Sequence, residues 1–279
     1  MADSLTARHI WAEMAANFMT AAGIDGFGLD IEGPIYTLLG ANSSARAALT
    51  ATLVALKARM QARVPGSLLA VWVQGGEPWT SDFDYAQLQA AFRAVDQFWV
   101  MDYSACGFPY AGMAEAPWRW VKSGQDTMDK LGFPRDKLVH VFPWHSCDFN
   151  CGKPGNPYGG VNCSGLAPKE YCADGHTFCF DNITTPGYAQ SQPLIELGLS
   201  QGYHPRYNAS EGANHVNYFN TTSGEYHQVW YDDPASLAIK YEWARTNISA
   251  RGVGMWVPSA TMFDVAATKA MWDAVPKVP

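Results

Sequence analysis

Asp25-Gly26-Phe27-Gly28-Leu29-Asp30-Ile31-Glu32 is the stretch whose residue types and spacing could do chemistry. Side chains alternate along a strand, so Gly28, Asp30 and Glu32 share one face. Like charges this close disfavour double ionisation, so one proton is shared or one carboxyl holds its proton more tightly. A carboxylic acid kept protonated near neutral pH is what a glycosidic oxygen needs from a general acid. The competing reading is an acidic cluster for a metal or a helix N-terminus. A metal shell would want a matching His or a third carboxylate nearby in sequence, so it is the lesser reading; no metal and no other cofactor are expected.

A scaffold must hold these groups, and the hydrophobic pattern describes one. Residues 24–31, 67–74, 97–103, 137–143 and 251–257 read as near-continuous apolar strands. Helical patterns run over 5–22, 43–63, 84–95, 116–131, 187–200, 234–249 and 262–275, with Ser43 or Ser44 and the Asp233-Pro234 pair as start signals. Strands alternating with helices predict βαβ units and a parallel sheet covered on both faces. Residues 225–231 read as a strand or extended segment, and 145–186 carry no period. Polar residues gather at the C-terminal ends of the strands: Asp30 and Glu32, Asp102 and Tyr103, Trp144 and His145, and Trp256. In a (β/α)8 barrel that end carries the chemistry. The Gly26–Gly28 pair lacks a third glycine and a following helix, which argues against a dinucleotide site.

The 279 residues carry a formal net charge of −7, with 48% hydrophobic and 16% charged side chains. That length can bury a sizeable core. The acidic balance argues against nucleic acid as a partner. No apolar run approaches the ~18 to 20 residues of a membrane helix, so no span is expected. Eleven Trp, thirteen Tyr and thirteen Phe fit either core packing or sugar-stacking platforms. Six N-x-[ST] triplets stand at Asn42, Asn162, Asn182, Asn208, Asn220 and Asn247. Chance would give about one, so a glycoprotein of the secretory route is expected. Cys147, Cys151, Cys163, Cys172 and Cys179 crowd one Gly/Pro/Asn-rich stretch, and Cys106 stands apart. This reads as a disulfide framework, for which about fifteen pairings are possible. The alternative, a metal held by His145, Cys147 and Cys151, matches no paired C-x-x-C signature. The opening MADSLTARHIWAEM shows no signal-peptide pattern. Either the protein is cytosolic or the start of the chain is missing.

Four stretches together resemble the family 18 glycoside hydrolases, most of all their di-N-acetylchitobiase branch. They are DGFGLDIE at 25–32, WVMDYS at 99–104, KLVHVFPWHSCDFNC at 137–151 and HQVWYDDPASLAIKYEWARTNISARGVGMW at 227–256. The first matches the fourth-strand motif D-x-x-D-x-D-x-E, and the second the sixth-strand M-x-Y motif. The resemblance implies a (β/α)8 barrel over 1–279, N-terminally truncated so that strands four to eight are present. A Cys-rich insertion over 145–186 would follow the seventh strand. It also accounts for the absent signal peptide, and it implies a lysosomal or secreted protein, monomeric when complete. Five strands cannot close a barrel, so poor solubility or oligomerisation is expected of this chain. Cys106 after the sixth strand and Cys147 after the seventh would occupy neighbouring loops over one rim, which favours that pair.

The family's mechanism, carried over, is substrate-assisted retention on a GlcNAcβ1-4GlcNAc bond of N-linked oligosaccharides. Glu32 would be the acid, Asp30 the partner of the acetamido N–H, and Tyr103 a donor to the acetamido oxygen. Trp256 would form the floor under the sugar, with Asp25, Met101, Trp144, Tyr231 and Asp232 lining the cleft. The sequence departs from the family at Gly28, where the motif has Asp. It departs again at Ser104, where Asp usually follows the Tyr, and at His145, where Tyr usually follows the Trp or Phe. Two alternatives stay open: a chitinase on chito-oligosaccharides, and a catalytically silent chitobiose-binding relative.

Overall fold

The periodic segments become the elements of the fold. In the computed structural model, residues 5–31, 43–75, 85–107, 112–152, 183–261 and 264–277 are described. Along the chain lie α1 (Leu5–Ala22), β1 (Gly26–Leu29), α2 (Ser43–Arg63), β2 (Leu68–Gln74), α3 (Tyr85–Ala94), β3 (Gln97–Met101), α4 (Trp118–Leu131) and β4 (Leu138–Pro143). There follow β5 (Cys147–Gly152), β6 (Ile183–Thr184), α5 (Tyr188–Ser200), β7 (Arg206–Asn208), β8 (Ala213–Asn220), β9 (Glu225–Tyr231), α6 (Pro234–Trp243), β10 (Gly252–Trp256) and α7 (Val265–Asp273).

The parallel sheet expected from the alternation is present, in the order β1-β2-β3-β4-β10. β1 pairs with β2 and β2 with β3 in parallel, Gly28 opposite Ala70 and Val71 opposite Phe98. Gly26 has a steric reason: a Cβ there would lie 2.6 Å from the Leu68 carbonyl oxygen. The sequence did not lead us to expect a second sheet. It is antiparallel, in the order β6-β5-β9-β8-β7. Part of the stretch read as aperiodic, Cys147–Gly152, is therefore a strand.

The chain gathers into two compact units. The first takes the chain up to Met101 with Ser123–His140 and Ser249–Gly252. Here Ala12, Ala16 and Met19 of α1 are buried at helical spacing, as are Leu53, Leu56 and Met60 of α2, against which α1 packs. Ile10, Met14 and Phe18 on the opposite side of α1 are exposed. Phe92, Phe98 and Phe133 form an aromatic core with ring centroids 4.8 to 5.7 Å apart. The Lys137 ammonium donates to the carbonyls of Phe92 and Val95, complementing the C-terminal end of α3.

The second unit takes Asp102–Lys122, Val141–Ile248 and the chain from Val253. Its antiparallel sheet has two apolar faces, as strand alternation dictates. Trp230 and Ala213 pack with Ala105, Cys106, Met113 and Ala114, whereas Val216, Tyr218, Val229 and Tyr231 pack with Ile195 of α5. A Cβ on Gly198 would lie 2.5 Å from the Asn217 carbonyl oxygen, so glycine lets α5 approach β8 closely. α6 opens on a capping box in which Asp233 accepts from the Ser236 N–H and the Ser236 hydroxyl accepts from the Asp233 N–H. The helix expected over 234–249 ends in a π turn at Ala244–Ile248. Among the described residues no helix is long and apolar enough to cross a membrane.

Candidate functional site

In the first unit the acidic stretch runs out of β1. Asp25 precedes the strand and Asp30 follows it, both exposed. Glu32 lies outside the described residues. A Cβ at Gly28 would meet only Trp72 Nε1, at an ordinary 3.8 Å, so space does not demand glycine there. Trp72 itself packs edge-on against Trp99, with ring centroids 4.7 Å apart. Met101, the last residue of β3, is buried.

In the second unit the chain beyond β3 presents Tyr103, whose ring lies parallel to the indole of Trp256. Their centroids are 5.8 Å apart and the planes differ by 8°. Tyr103 is buried, but Trp256 is 41% exposed, leaving an aromatic surface open to solvent. The His145 ring meets Tyr103 edge-on at 6.4 Å. The Trp256–Val257 peptide is cis.

Below this pair lies a group that the sequence reading missed. Glu115 is 4% exposed, and its Oε1 accepts from the Ser104 N–H at 2.8 Å and contacts His145 Nε2 at 2.6 Å. It sits in an irregular segment with no motif around it, and its partners lie 11 and 30 positions away, so no local signal could have exposed it. Cys106 and Cys147 form a disulfide beside it, with Cα atoms 6.4 Å apart. Glu115 and the two sulfurs cluster closely enough to suggest a metal site, but sulfurs joined to each other offer no thiolate. Cys151 is disulfide-bonded as well. Cys163, Cys172 and Cys179 lie outside the described residues.

The remaining expected residues have other surroundings. Trp144 is 1% exposed; its indole N–H donates to the Tyr241 hydroxyl at 3.0 Å and its ring abuts Trp272. Asp232 is buried; Oδ1 accepts from the Ser236 hydroxyl and Oδ2 pairs with the fully buried Lys240 at 2.6 Å. Tyr231 is buried, and burial, assisted by the charges of Asp233 and Tyr188, pushes its phenol up to about 12. Another polar network crosses the antiparallel sheet: the Tyr218 hydroxyl donates to Asp148, and His227 Nδ1 lies 3.2 Å from both Asp148 oxygens. Asn208 ends β7 and Asn220 ends β8, each side-chain oxygen accepting from backbone N–H groups two and three residues on in the turn that follows, and Asn247 is exposed. Asn42, Asn162 and Asn182 lie outside the described residues.

Comparisons with known proteins bear on this arrangement. The sequence model described as "Glycosyl hydrolases family 18" matches residues 1–260. The di-N-acetylchitobiase of Mus musculus is 26% identical over 97% of this chain and 72% of its own length. The di-N-acetylchitobiase of Homo sapiens is 25% identical over 96% of this chain and 68% of its own. Among solved structures, the C-terminal domain of a putative chitinase from Desulfitobacterium hafniense superposes with a TM-score of 0.73 at 22% identity, covering 98% of this chain and 73% of that one. The family GH18 chitinase from Cycas revoluta, solved with allosamidin, gives 0.71 at 19% identity over 98% and 74%. These neighbours place the fold with the α/β architectures of the (β/α)8-barrel type. Since the family match extends over almost the whole chain, the chain belongs to glycosyl hydrolase family 18 and is a glycosidase.

Proposed function

We propose that this glycosidase cleaves the GlcNAcβ1-4GlcNAc bond of chitobiose-containing glycans by substrate-assisted retention. The observation that carries the reading is the parallel Tyr103–Trp256 pair, an open indole beside a buried phenol. An indole face suits the apolar face of a pyranose, and a phenol beside it suits an acetamido oxygen. The printed names of the mouse and human relatives support the choice of sugar.

In this reading Glu32 protonates the departing oxygen while the sugar's own acetamido carbonyl oxygen attacks C1. The C1–oxygen bond breaks and an oxazolinium forms. Asp30 holds the acetamido N–H and stabilises the positive charge that grows there. Tyr103 donates to the acetamido oxygen, and Trp256 forms the floor. Glu32, now a carboxylate, takes a proton from the water that opens the ring, so the product keeps its anomeric configuration. In this reading Asp25, Met101, Trp144, Tyr231 and Asp232 belong to the substrate site, the last four from buried positions. The same reading places the protein in the lysosome or outside the cell, with N-linked glycans at its acceptor triplets.

A chitobiose-core glycan and longer chito-oligosaccharides serve as parallel substrates, with the anomer of the first product read by NMR. Release of the retained anomer from the glycan is the expected result. Glu32→Gln should lose ~10² to 10⁴-fold in turnover, the worth of one proton-transfer group. Near-native turnover of that variant, or an inverted product, refutes the mechanism. Turnover confined to chito-oligosaccharides makes the protein a chitinase, and binding without release makes it a silent relative.

A further inference from the structure

Glu115 draws the main chain beyond Tyr103 around itself. The Ser104 N–H donates to Oε1 at 2.8 Å, the Cys106 N–H reaches Oε2 at 3.4 Å, and the Ala105 N–H donates to Glu115's own carbonyl at 3.0 Å. Ser104 makes its bond from a φ of 70°, a left-handed conformation uncommon outside glycine. On the other side stands His145, with Nε2 2.6 Å from Glu115 Oε1 and Nδ1 3.0 Å from the Trp256 carbonyl oxygen. That carbonyl can only accept, so Nδ1 carries a proton. A neutral ring has no second proton, and its Nε2 lone pair would then face the carboxylate. The distances are satisfied when the pair holds one proton more than a neutral imidazole and a carboxylate would.

We propose that His145, bridging the Glu115 carboxylate and the Trp256 carbonyl as an imidazolium, is a positioning residue that holds the Trp256 indole against Tyr103 for the sugar. The proposal rests on the substrate reading above. Trp144 reinforces the bridge, because its backbone N–H donates to the same Trp256 carbonyl at 2.8 Å. Three segments distant in sequence thus converge on one charged contact: the segment before α4 through Glu115, the end of β4 through His145, and the end of β10 through Trp256.

The contact has a pH dependence. Burial pulls the His145 proton affinity down, but the hydrogen bond and charge of Glu115, aided by the Trp256 carbonyl, outweigh it and raise the net value above that of an ordinary histidine. Among the described residues, the groups facing the ring are Glu115 and the Tyr103 phenol, and the adjacent disulfide does not titrate. A raised value means that the bridge is more fully formed at a given pH than it would be for an ordinary histidine. It is lost as pH rises through the folded-state value. Sugar affinity should then fall on the alkaline side.

The test uses the full chain. In histidine NMR titrations, the resonance missing from His145→Gln should titrate above the ordinary range. The Trp256 indole N–H, identified by its loss in Trp256→Phe, should shift with the same midpoint and become insensitive to that transition in His145→Gln. Glu115→Gln should move both midpoints to lower pH, and with them the alkaline limb of kcat/KM. His145→Gln should raise KM on the order of tenfold, the worth of a charged hydrogen bond, with a smaller change in kcat. An indole resonance blind to the His145 titration overturns the proposal, as does an alkaline limb that neither variant moves. The NMR arms need no substrate, so they decide the bridge even if no chitobioside is hydrolysed, the outcome that would defeat the substrate reading instead.

Discussion

Trp256→Ala removes the open face of the proposed sugar platform, and the structure sets the size of the effect. Trp256 is 41% exposed. Of the roughly 250 Å² an indole side chain can bury, about 100 Å² is therefore open to a ligand. Covering that area at ~25 cal/mol per Å² gives about 2.5 kcal/mol. This is an upper value, because a sugar face also carries hydroxyls. It corresponds to about 60-fold in affinity, since ~1.4 kcal/mol is tenfold. Calorimetric binding of a chito-oligosaccharide measures it, with Glu32→Gln as the background so that no turnover intervenes. Trp256→Phe keeps a flat face and should lose less than the alanine variant. The melting temperature controls for folding, because the variant also loses the contact with Tyr103, worth ~0.5 to 1.5 kcal/mol. A folded Trp256→Ala variant that binds within twofold of its parent refutes the platform.

Lys240→Met should unfold the second unit more readily. It strands the buried Asp232 carboxylate without its 2.6 Å partner, and such a loss costs ~3 to 5 kcal/mol. The expected fall in melting temperature is on the order of 10 °C, partly recovered when Asp232→Asn is added; an unchanged melt contradicts the role given to the pair. Replacing both Cys106 and Cys147 with Ser opens a loop closed across 41 positions. Chain entropy puts that loss at about 4 kcal/mol, read from denaturant unfolding, and peptide mapping without reductant should recover the two cysteines linked. Either a different pairing or an unchanged midpoint counts against it.

Repeating local signals were legible in the sequence, and distant pairings were not. The helix at 5–22 and the strands near 68–74 and 138–143 emerge within a residue or two of their expected bounds, because burial on one or both faces writes a period into the sequence. The second sheet went unread for a physical reason. β8 reads ANHVNYFN, in which Asn and His occupy the face toward the 105–114 segment while Val216 and Tyr218 face α5. Polar residues on a packed face hide the alternation. The turn at 221–224, closed by Gly224 at a φ of 73°, and the strand-like 225–231 were the available clue to a hairpin. For Trp144 and Asp232 family position suggested a cleft, and their partners were not legible locally: the indole N–H donates to Tyr241 and the carboxylate is held by Ser236 and Lys240, groups that no period writes into the sequence.

The proposed mechanism also has an argument from the sequence pattern alone. A two-carboxylate glycosidase needs its acid on one side of the scissile bond and its base or nucleophile on the other face of the ring. β1 ends at Leu29, with Asp30 just beyond it and Glu32 outside the described residues; the extended backbone that the sequence pattern predicts over 24–32 would put both carboxyls on one face, about 6 to 7 Å apart along the chain. That separation would pass for an inverting pair if distance alone decided. Direction decides instead, because two groups rising from one extended segment would approach a sugar from the same side. Neither could then push from behind while the other protonated in front. The attacking atom must then come from elsewhere, and an acetamido group on the neighbouring carbon is the nucleophile the substrate itself carries. On this argument a substrate whose 2-acetamido group is replaced by hydroxyl should not be turned over, however well the Trp256 platform binds it.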